Sequence, residues 1–195
     1  MACTQCGLAL GERLQQFGWQ QCRHCRAKPI PNLHTTVAFN YQPPFSRWVA
    51  ALKYGATPAR AFLLGDAILE ALDLSSPLPD ILVPVPMSPK RLRARGYNQA
   101  ELIAKRLGCK LRIPVETGLL MKIRDTGNQA ELNREQREQN LHNAIIATRP
   151  VPSTIKIGLV DDVITTGATL NTCLSVLERA GGRHFHLLAA CRTPE

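Results

Sequence analysis

The sequence predicts an α/β protein with a parallel sheet flanked by helices and a small cysteine-rich module before it. In the second half of the chain, short apolar runs that suit buried strands alternate with segments of helical spacing, which is the pattern of a parallel sheet. Near the start, four cysteines stand in two Cys-x-x-Cys pairs, a pattern typical of metal-binding ribbons. We therefore expect two units, over residues 1–30 and 31–195.

The composition excludes several classes of protein. Of the 195 residues, 45% are hydrophobic and 20% are charged, so the chain can form a core and is not disordered. No apolar run approaches the roughly 18 residues of a membrane span, and the first residues have neither the basic start nor the apolar run of a secretory signal. These features predict a soluble cytoplasmic protein without a membrane span.

The charge is strongly positive and unevenly spread. The chain has 24 Lys and Arg against 15 Asp and Glu, for a net charge of +9, and most of the excess lies between residues 82 and 149. A basic region beside a neutral C-terminal part indicates a polyanionic partner, either nucleic acid or a phosphorylated small molecule. A surface that is basic only for solubility is the alternative.

The cysteine module is predicted to hold a structural zinc ion. Cys3 and Cys6 form the first pair, Cys22 and Cys25 form the second, and fifteen residues separate the pairs. This is the spacing of four-cysteine zinc sites. About thirty residues bury too little surface to fold alone, and a structural zinc ion contributes roughly 10–16 kcal/mol. Two disulfides, or His24 in place of one cysteine, are the alternatives.

Local patterns predict the remaining elements. A short helix follows Pro43-Pro44 and ends at Gly55, and Asn98 has the position of a helix N-cap, with an acid three residues later. The segment 129–140 is polar with helical spacing. We expect strands over 34–41, 80–86, 156–160 and 185–190, short strands within 111–123, and helices over 59–72, 99–107 and 169–180.

Some chemically notable residues are better explained by packing. Phe45 and Trp48 could stack on nucleic-acid bases, but aromatic residues at helical spacing more often belong to a core. Three isolated cysteines fall in apolar contexts and are expected to be buried and unreactive, namely Cys109, Cys173 and Cys191.

The strongest functional signal follows the predicted strand at 156–160. Asp161 and Asp162 come at the carboxyl end of this strand, where ligands of open α/β sheets bind. A turn of hydroxyls and glycine then leads directly into a helix, and its N–H groups and hydroxyls can form a phosphate nest. Because carboxylates repel phosphate, the acids are expected to accept hydrogen bonds from a sugar diol or to hold Mg²⁺ through water. A strand and helix with capping threonines is the alternative. The predicted phosphoribose site comprises Asp161, Asp162, Thr165, Thr166, Gly167, Ala168 and Thr169.

This stretch resembles the 5-phosphoribosyl 1-pyrophosphate (PRPP) motif of the type I phosphoribosyltransferases. Val-Pro-Val-Pro at 83–86, the basic run at 90–99, and Arg-x-Thr-x-x-Gln-x-x-Leu at 124–132 are similar to the signature of the ComF family, called GntX-like in some bacteria. The four-cysteine module occurs in that family as well, so the resemblance covers nearly the whole chain. It implies a phosphoribosyltransferase-like domain, binding of PRPP with Mg²⁺, and an association with DNA uptake and competence.

The resemblance also implies roles for other residues. The turn at 84–86 would approach pyrophosphate and is expected to hold a strained peptide. The segment 124–140 would be a mobile loop that covers the site. Lys122 stands where family members often have arginine, and lysine lacks the planar grip of a guanidinium. The implied pyrophosphate contacts are Val85, Pro86, Arg95 and Arg124.

Further cations lie on each side of this site. Lys90, Arg91 and Arg93 could continue outward as a track for a nucleic-acid backbone, or they could be solvated surface. Arg134 and Arg137 could instead balance the acids of their own predicted helix.

Three functions fit these observations. The first is a PRPP-binding protein that handles incoming single-stranded DNA in the cytoplasm, with DNA-uptake proteins as possible partners. The second is an active phosphoribosyltransferase that acts on a nucleobase or related acceptor. The third is a regulatory protein that senses PRPP. The sequence shows the PRPP half of the machinery but no acceptor pocket, so it does not establish that the chain is an enzyme.

Overall fold

The computed structural model describes residues 1–54, 57–124 and 144–194. The predicted helix at 129–140, with Arg134 and Arg137, and all of the predicted covering loop except Arg124 lie outside these residues. In chain order, the described elements are α1 (Glu12–Gln16), α2 (Arg23–Ala27), β1 (Leu33–Asn40), α3 (Phe45–Tyr54), α4 (Arg60–Ala71), β2 (Ile81–Pro84), α5 (Pro89–Arg95), α6 (Gln99–Leu111), β3 (Leu120–Lys122), β4 (Ile145–Ala147), β5 (Lys156–Ile164), α7 (Ala168–Arg179) and β6 (His184–Arg192).

Four strands form a parallel sheet in the order β1-β6-β5-β2, which confirms the predicted fold class. β5 and β6 are apolar along most of their length because helices cover both faces. Leu159 and Leu187 pack into the cluster on the α7 side. Their neighbours Val160 and Leu188 pack into the opposite cluster, with α3, α4 and α6. β5 runs beyond its predicted end to Ile164, so the acid pair lies within the strand.

A short antiparallel hairpin of β3 and β4 stands beside this sheet. Leu82 of β2 also makes an isolated parallel bridge to Val115. The prediction of short strands within 111–123 is therefore confirmed. None of the helices in the described part of the chain combines the length and apolar character needed to cross a membrane.

Helix α6 passes through Gly108, where the sequence predicted its end. The glycine is needed for packing, since a Cβ there would lie 2.6 Å from Val115 Cγ2 and 2.7 Å from the carbonyl oxygen of Ile113. The helix ends instead at Arg112, which adopts a left-handed φ of 57°. Cys109 is on the outer face of this helix and is exposed, so the prediction that it is buried is wrong.

Helix α5 was not predicted, although the sequence contains the signals for it. Ser88 accepts a hydrogen bond from Arg91 N, Pro89 occupies the first turn, and Gly96 ends the helix with a φ of 83°. Serine at the N-cap, proline next and glycine after the end is a well-established helix pattern. The basic residues of this segment instead suggested a track for a nucleic-acid backbone.

Other packing predictions are confirmed. Cys173 and Cys191 are buried. Phe45 stacks on Phe39 with ring centroids 3.5 Å apart and packs edge-on against Trp48. These aromatic rings therefore serve the hydrophobic core between α3 and the sheet.

The cysteine module packs directly on the sheet. Thr35 Oγ1 of β1 donates a 2.7 Å hydrogen bond to the carbonyl oxygen of Gln5. Gly7, with a φ of 71°, approaches so closely that a Cβ would lie 2.4 Å from Val37 Cγ2. The Gln5 amide also accepts a hydrogen bond from Ile30 N and donates one to the carbonyl oxygen of Lys28.

Candidate functional site

A cavity of about 310 Å³ lies at the carboxyl ends of β2 and β5. This edge of a parallel sheet is where α/β proteins bind ligands. Its walls come from the ends of α3 and β2, from α5, from the start of α6, and from the loop after β5. Both acids of the predicted pair line it, so Asp161 and Asp162 are brought together as expected.

The two carboxylates have different surroundings, because successive residues of a strand point to opposite faces. Asp162 is 6% exposed, and its Oδ2 forms a 2.9 Å ion pair with Lys53 Nζ at the end of α3. Asp161 keeps partial exposure and its Oδ1 accepts a hydrogen bond from Asp162 N at 2.8 Å. Lys53 therefore neutralises one acid directly and leaves the other facing the cavity.

Asp161 is held in an environment that disfavours its negative charge. Burial raises its pKa well above the ordinary value, and the neighbouring charge of Asp162 raises it further, whereas Lys53 lowers it. A carboxylate perturbed in this way within a cavity is a typical feature of a functional site. Donors from a ligand diol or a bound cation would stabilise its ionised form.

The loop after β5 separates two cavities. Thr165 and Thr169 line the cavity that holds the acids. Thr166 and Gly167 line a second cavity, of about 420 Å³, between the loop and the cysteine module. Gly167 has a φ of 77° and immediately precedes Ala168, the first residue of α7, so the backbone turns sharply where the helix begins. The predicted phosphate residues thus divide between the two sides of one loop.

The residues predicted to contact pyrophosphate divide as well. Val85, Pro86 and Arg95 line the acid-containing cavity. Arg124 is exposed and does not line it. The expectation of a strained peptide at this turn is wrong, since its peptides are trans and Val85 N continues the sheet ladder with a 2.9 Å bond to Val160 O.

The predicted nucleic-acid track is split by the geometry of α5. Arg91 lines the cavity together with Arg95, which lies one helical turn further along. Lys90 and Arg93 are exposed and do not line it. Arg91 is exposed as well, so among these three cations it alone both contacts solvent and lines the cavity.

Sequence reasoning missed several residues of the cavity. Arg95 Nη1 donates a 2.9 Å hydrogen bond to Gln99 Oε1, and Arg95 Cζ lies 5.7 Å from the centroid of the Tyr54 ring. Asn98 Nδ2 donates a 3.0 Å hydrogen bond to Val85 O and so holds the turn after β2. The sequence predicts Asn98 only as a helix cap. Lys53 lies at the end of a core helix, and its sequence neighbourhood does not indicate a ligand site. The additional lining residues include Lys53, Tyr54, Ser88, Asn98, Gln99 and Lys122.

The four predicted metal ligands lie together. The sulfurs of Cys3, Cys6, Cys22 and Cys25 are all within 4.8 Å of one another, and all four cysteines are free. The Cys6 and Cys22 sulfurs are 3.8 Å apart, which is about the 3.8 Å separation expected when 2.3 Å bonds join a tetrahedral metal ion. His24 does not belong to this cluster. The donor set therefore fits a tetrahedral metal ion and not two disulfides.

Hydrogen bonds favour a thiolate within this cluster. The Cys6 thiol and the backbone N–H of Cys22 lower the pKa of Cys3 to about 4, against the opposing effect of burial. The Cys22 N–H lies 3.3 Å from Cys3 Sγ. Because the thiolate is the form that ligates metals, Cys3 is prepared for a cation, whereas its hydrogen bond to Cys3 and burial raise the pKa of Cys6.

The sheet, the loop after β5 and the cavity together define an α/β protein with a ligand-sized cavity at the carboxyl edge of its parallel sheet, which is the fold class that the sequence predicts. Among curated proteins, the chain is 31% identical over 196 residues to DNA utilization protein YhgH of Salmonella typhi. It is 33% identical over 201 residues to competence protein F of Haemophilus influenzae. These alignments cover 98% and 97% of this chain and 84% of each relative. The chain therefore belongs to the ComF family.

Among solved structures, the chain is similar to adenine phosphoribosyltransferase from Leishmania tarentolae. The two are 15% identical, with a TM-score of 0.43, over 84% of this chain and 93% of the other. No protein-family model matches the chain.

The ion pair between Lys53 and Asp162 should contribute more to stability than an exposed pair, because its side chains are only 27% and 9% exposed. In a double-mutant cycle with Lys53→Met and Asp162→Asn, urea unfolding should give a coupling free energy of about 1–3 kcal/mol.

The matched control is the pair of Lys105 and Glu101, whose side chains are 56% and 33% exposed. That cycle should give about 0.3–0.5 kcal/mol. Equal coupling energies in the two cycles would contradict the interpretation of a partly desolvated pair.

Proposed function

We propose that this chain binds PRPP, or a related ribose phosphate, and handles single-stranded DNA in the cytoplasm during the use of external DNA. The observation that carries the PRPP part is one cavity that is lined by the acid pair and by Thr165 and Thr169 of the loop that follows. Asp161 and Asp162 would accept hydrogen bonds from the ribose diol or hold Mg²⁺ through water. Thr165 and Thr169, which line the same cavity, would hold the 5-phosphate at the beginning of the helix.

The remaining walls of the cavity support an anionic ligand. Arg91, Arg95 and Lys122 line it, which is the charge complement of a pyrophosphate. Gln99 is 3% exposed, and its Nε2 has no hydrogen-bond partner among the residues that the structure describes, although Oε1 accepts from Arg95. An unused buried donor in the cavity wall is costly unless a ligand accepts from it. Ligand oxygens would satisfy it.

Replacing both acids should abolish this binding while leaving the protein folded. Charge-assisted hydrogen bonds contribute about 1.5–3 kcal/mol each, so Asp161→Asn with Asp162→Asn should weaken PRPP binding at least about 100-fold. Calorimetric titration with PRPP and Mg²⁺ measures the affinity, and circular dichroism checks the fold.

Asp66→Asn is the control variant. Asp66 is a surface carboxylate of α4 that pairs with Arg106 and does not line the cavity. It should bind PRPP like the native protein. Native affinity in the double variant of the acid pair would refute the proposed site.

An active phosphoribosyltransferase is the second candidate. Tyr54 is 82% exposed at the edge of the cavity, where its ring could stack on an acceptor base. In such a reaction, a base nitrogen bonds to the anomeric carbon, the carbon–oxygen bond to pyrophosphate breaks, and the base proton is lost. Release of pyrophosphate from PRPP with any member of a panel of bases would favour this function. Tight PRPP binding without release would favour the first function or a PRPP sensor.

The nucleic-acid part of the proposal is supported by the relatives and by two surfaces. The relatives are named for DNA utilization and competence. Lys90 and Arg93 supply exposed positive charge on α5. On the cysteine module, Phe17 and Trp19 are 67% and 40% exposed, with ring centroids 6.0 Å apart, and the Arg26 guanidinium lies 3.7 Å from the Trp19 ring. Exposed rings beside cations are what single-stranded nucleic acid binds.

Single-stranded DNA should therefore bind through both phosphate contacts and base stacking. In fluorescence anisotropy with a labelled oligothymidine, Lys90→Gln and Arg93→Gln should each reduce the salt slope by about 0.7. Trp19→Ala should weaken binding by about 1–3 kcal/mol for each base it stacks, with little change in the slope.

Two variants on α4 and α6 control for nonspecific effects. Phe62 is an exposed ring beside Arg106, and Lys105 is an exposed cation paired with Glu101. Phe62→Ala and Lys105→Gln should bind DNA like the native protein. If they weaken binding as much as the changes on the proposed surfaces, those surfaces are not the binding sites.

We further propose that the metal of the four-cysteine cluster is structural zinc and that residues 1–30 form its module. Zinc prefers a tetrahedral set of four thiolates. Cys22→Ser should reduce bound zinc, measured by elemental analysis, from one equivalent to well below it. Cys109→Ser, which changes an exposed and isolated thiol, should keep the full equivalent. One equivalent in Cys22→Ser would contradict the ligand set.

A further inference from the structure

Arg192, the last residue of β6, is a buried cation bonded to backbone carbonyl groups. It is 5% exposed. Its Nε donates to the carbonyl oxygen of Cys6 at 3.1 Å, and its Nη1 donates to those of Ile164, at 3.1 Å, and Thr165. One guanidinium therefore joins the first cysteine pair to the end of β5 and the beginning of the phosphate loop.

The groups at the two ends of this connection belong to different sites. Cys6 supplies a sulfur to the four-cysteine cluster. Thr165 lines the cavity that holds the acid pair, and the loop continues from it to Gly167 and α7. Because the guanidinium is planar and its N–H groups are fixed in direction, it sets the relative position of the carbonyl groups it binds.

The burial of this cation also depends on the cysteine cluster. A buried guanidinium is stable only when nearby groups compensate its charge. A zinc ion with four thiolates carries a net charge of about −2. Since Arg192 contacts the carbonyl group of Cys6, loading the metal places that negative charge on a cluster that includes a residue bonded to the guanidinium. Loss of the metal removes both the charge and the constraint on the cysteine turn.

We propose that Arg192 is a positioning residue that couples metal occupancy of the cysteine cluster to the order of the phosphate loop. Metal binding at the module thereby regulates the affinity of the cavity for a phosphorylated ribose. The regulatory consequence rests on the proposed function, whereas the coupling of module and loop does not.

Hydrogen exchange of the full chain tests the coupling without any ligand. Removing zinc from the native protein with a zinc-selective chelator should speed exchange of the amides of 165–169 at least about tenfold. In Arg192→Lys, which keeps the charge but loses the fork of donors, exchange should already be fast and should not respond to zinc. Peptides from α6 should be unchanged throughout. Exchange at 165–169 that does not respond to zinc in the native protein would overturn the proposal.

Arg192→Gln provides a second variant that also removes the charge, and zinc content is measured for each protein so that loss of metal is not mistaken for loss of coupling. If both variants fail to fold, the native protein with and without zinc still decides the outcome.

A ligand-binding experiment tests the regulatory consequence. Zinc removal should weaken binding of ribose 5-phosphate about five- to 150-fold in the native protein and leave it unchanged in Arg192→Lys. A zinc-loaded native protein that orders its loop but binds no ribose phosphate would contradict the proposed function and leave the coupling intact.

Discussion

The negative charge at the end of the central strand β5 is the feature on which the site depends. Asp161 and Asp162 lie within a strand covered on both faces, so neither carboxylate can be fully hydrated. Lys53 compensates one of them, and burial raises the pKa of the other. The fold thus keeps negative charge that is only partly compensated, and hydrogen-bond donors of a ligand or a bound cation would stabilise it. The acid pair therefore lowers the stability of the protein when the site is empty, and a bound ligand would restore it. Such a cost in stability is common at functional sites.

The loop after β5 gains its role from its position between two units. On one side it borders the acid-containing cavity, and on the other it borders a cavity shared with the cysteine module. Gly7 and Thr35 dock that module on β1, while Arg192 ties it to the loop. The cysteine module is therefore part of the structural support of this loop, although it is distant from the loop along the chain.

Patterns that are local in the sequence predicted much of this structure. Apolar runs gave β2, β5 and β6, and the Cys-x-x-Cys spacing gave a cluster that forms as expected. Lys53 and Arg192 could not be identified in this way, because each reaches its partners across a long stretch of chain. Cys109 was misplaced because an apolar neighbourhood in sequence does not say which face of α6 a residue occupies. The acid pair and the loop could be predicted because the strand, the turn and the helix that form them are consecutive in the sequence.

Helix α5 carries side chains for both proposed anionic ligands, the phosphorylated ribose and DNA. Arg91 and Arg95 line the cavity, whereas the exposed Lys90 and Arg93 do not. A phosphorylated ligand in the cavity neutralises charge on one face of this short helix and so lowers the positive potential that nucleic acid meets on the other. By thermodynamic linkage, DNA bound at the outer face would lower the affinity of the cavity for that ligand by the same factor. If both proposed ligands bind, the close spacing of the four cations would make the two binding events interdependent without any change of conformation.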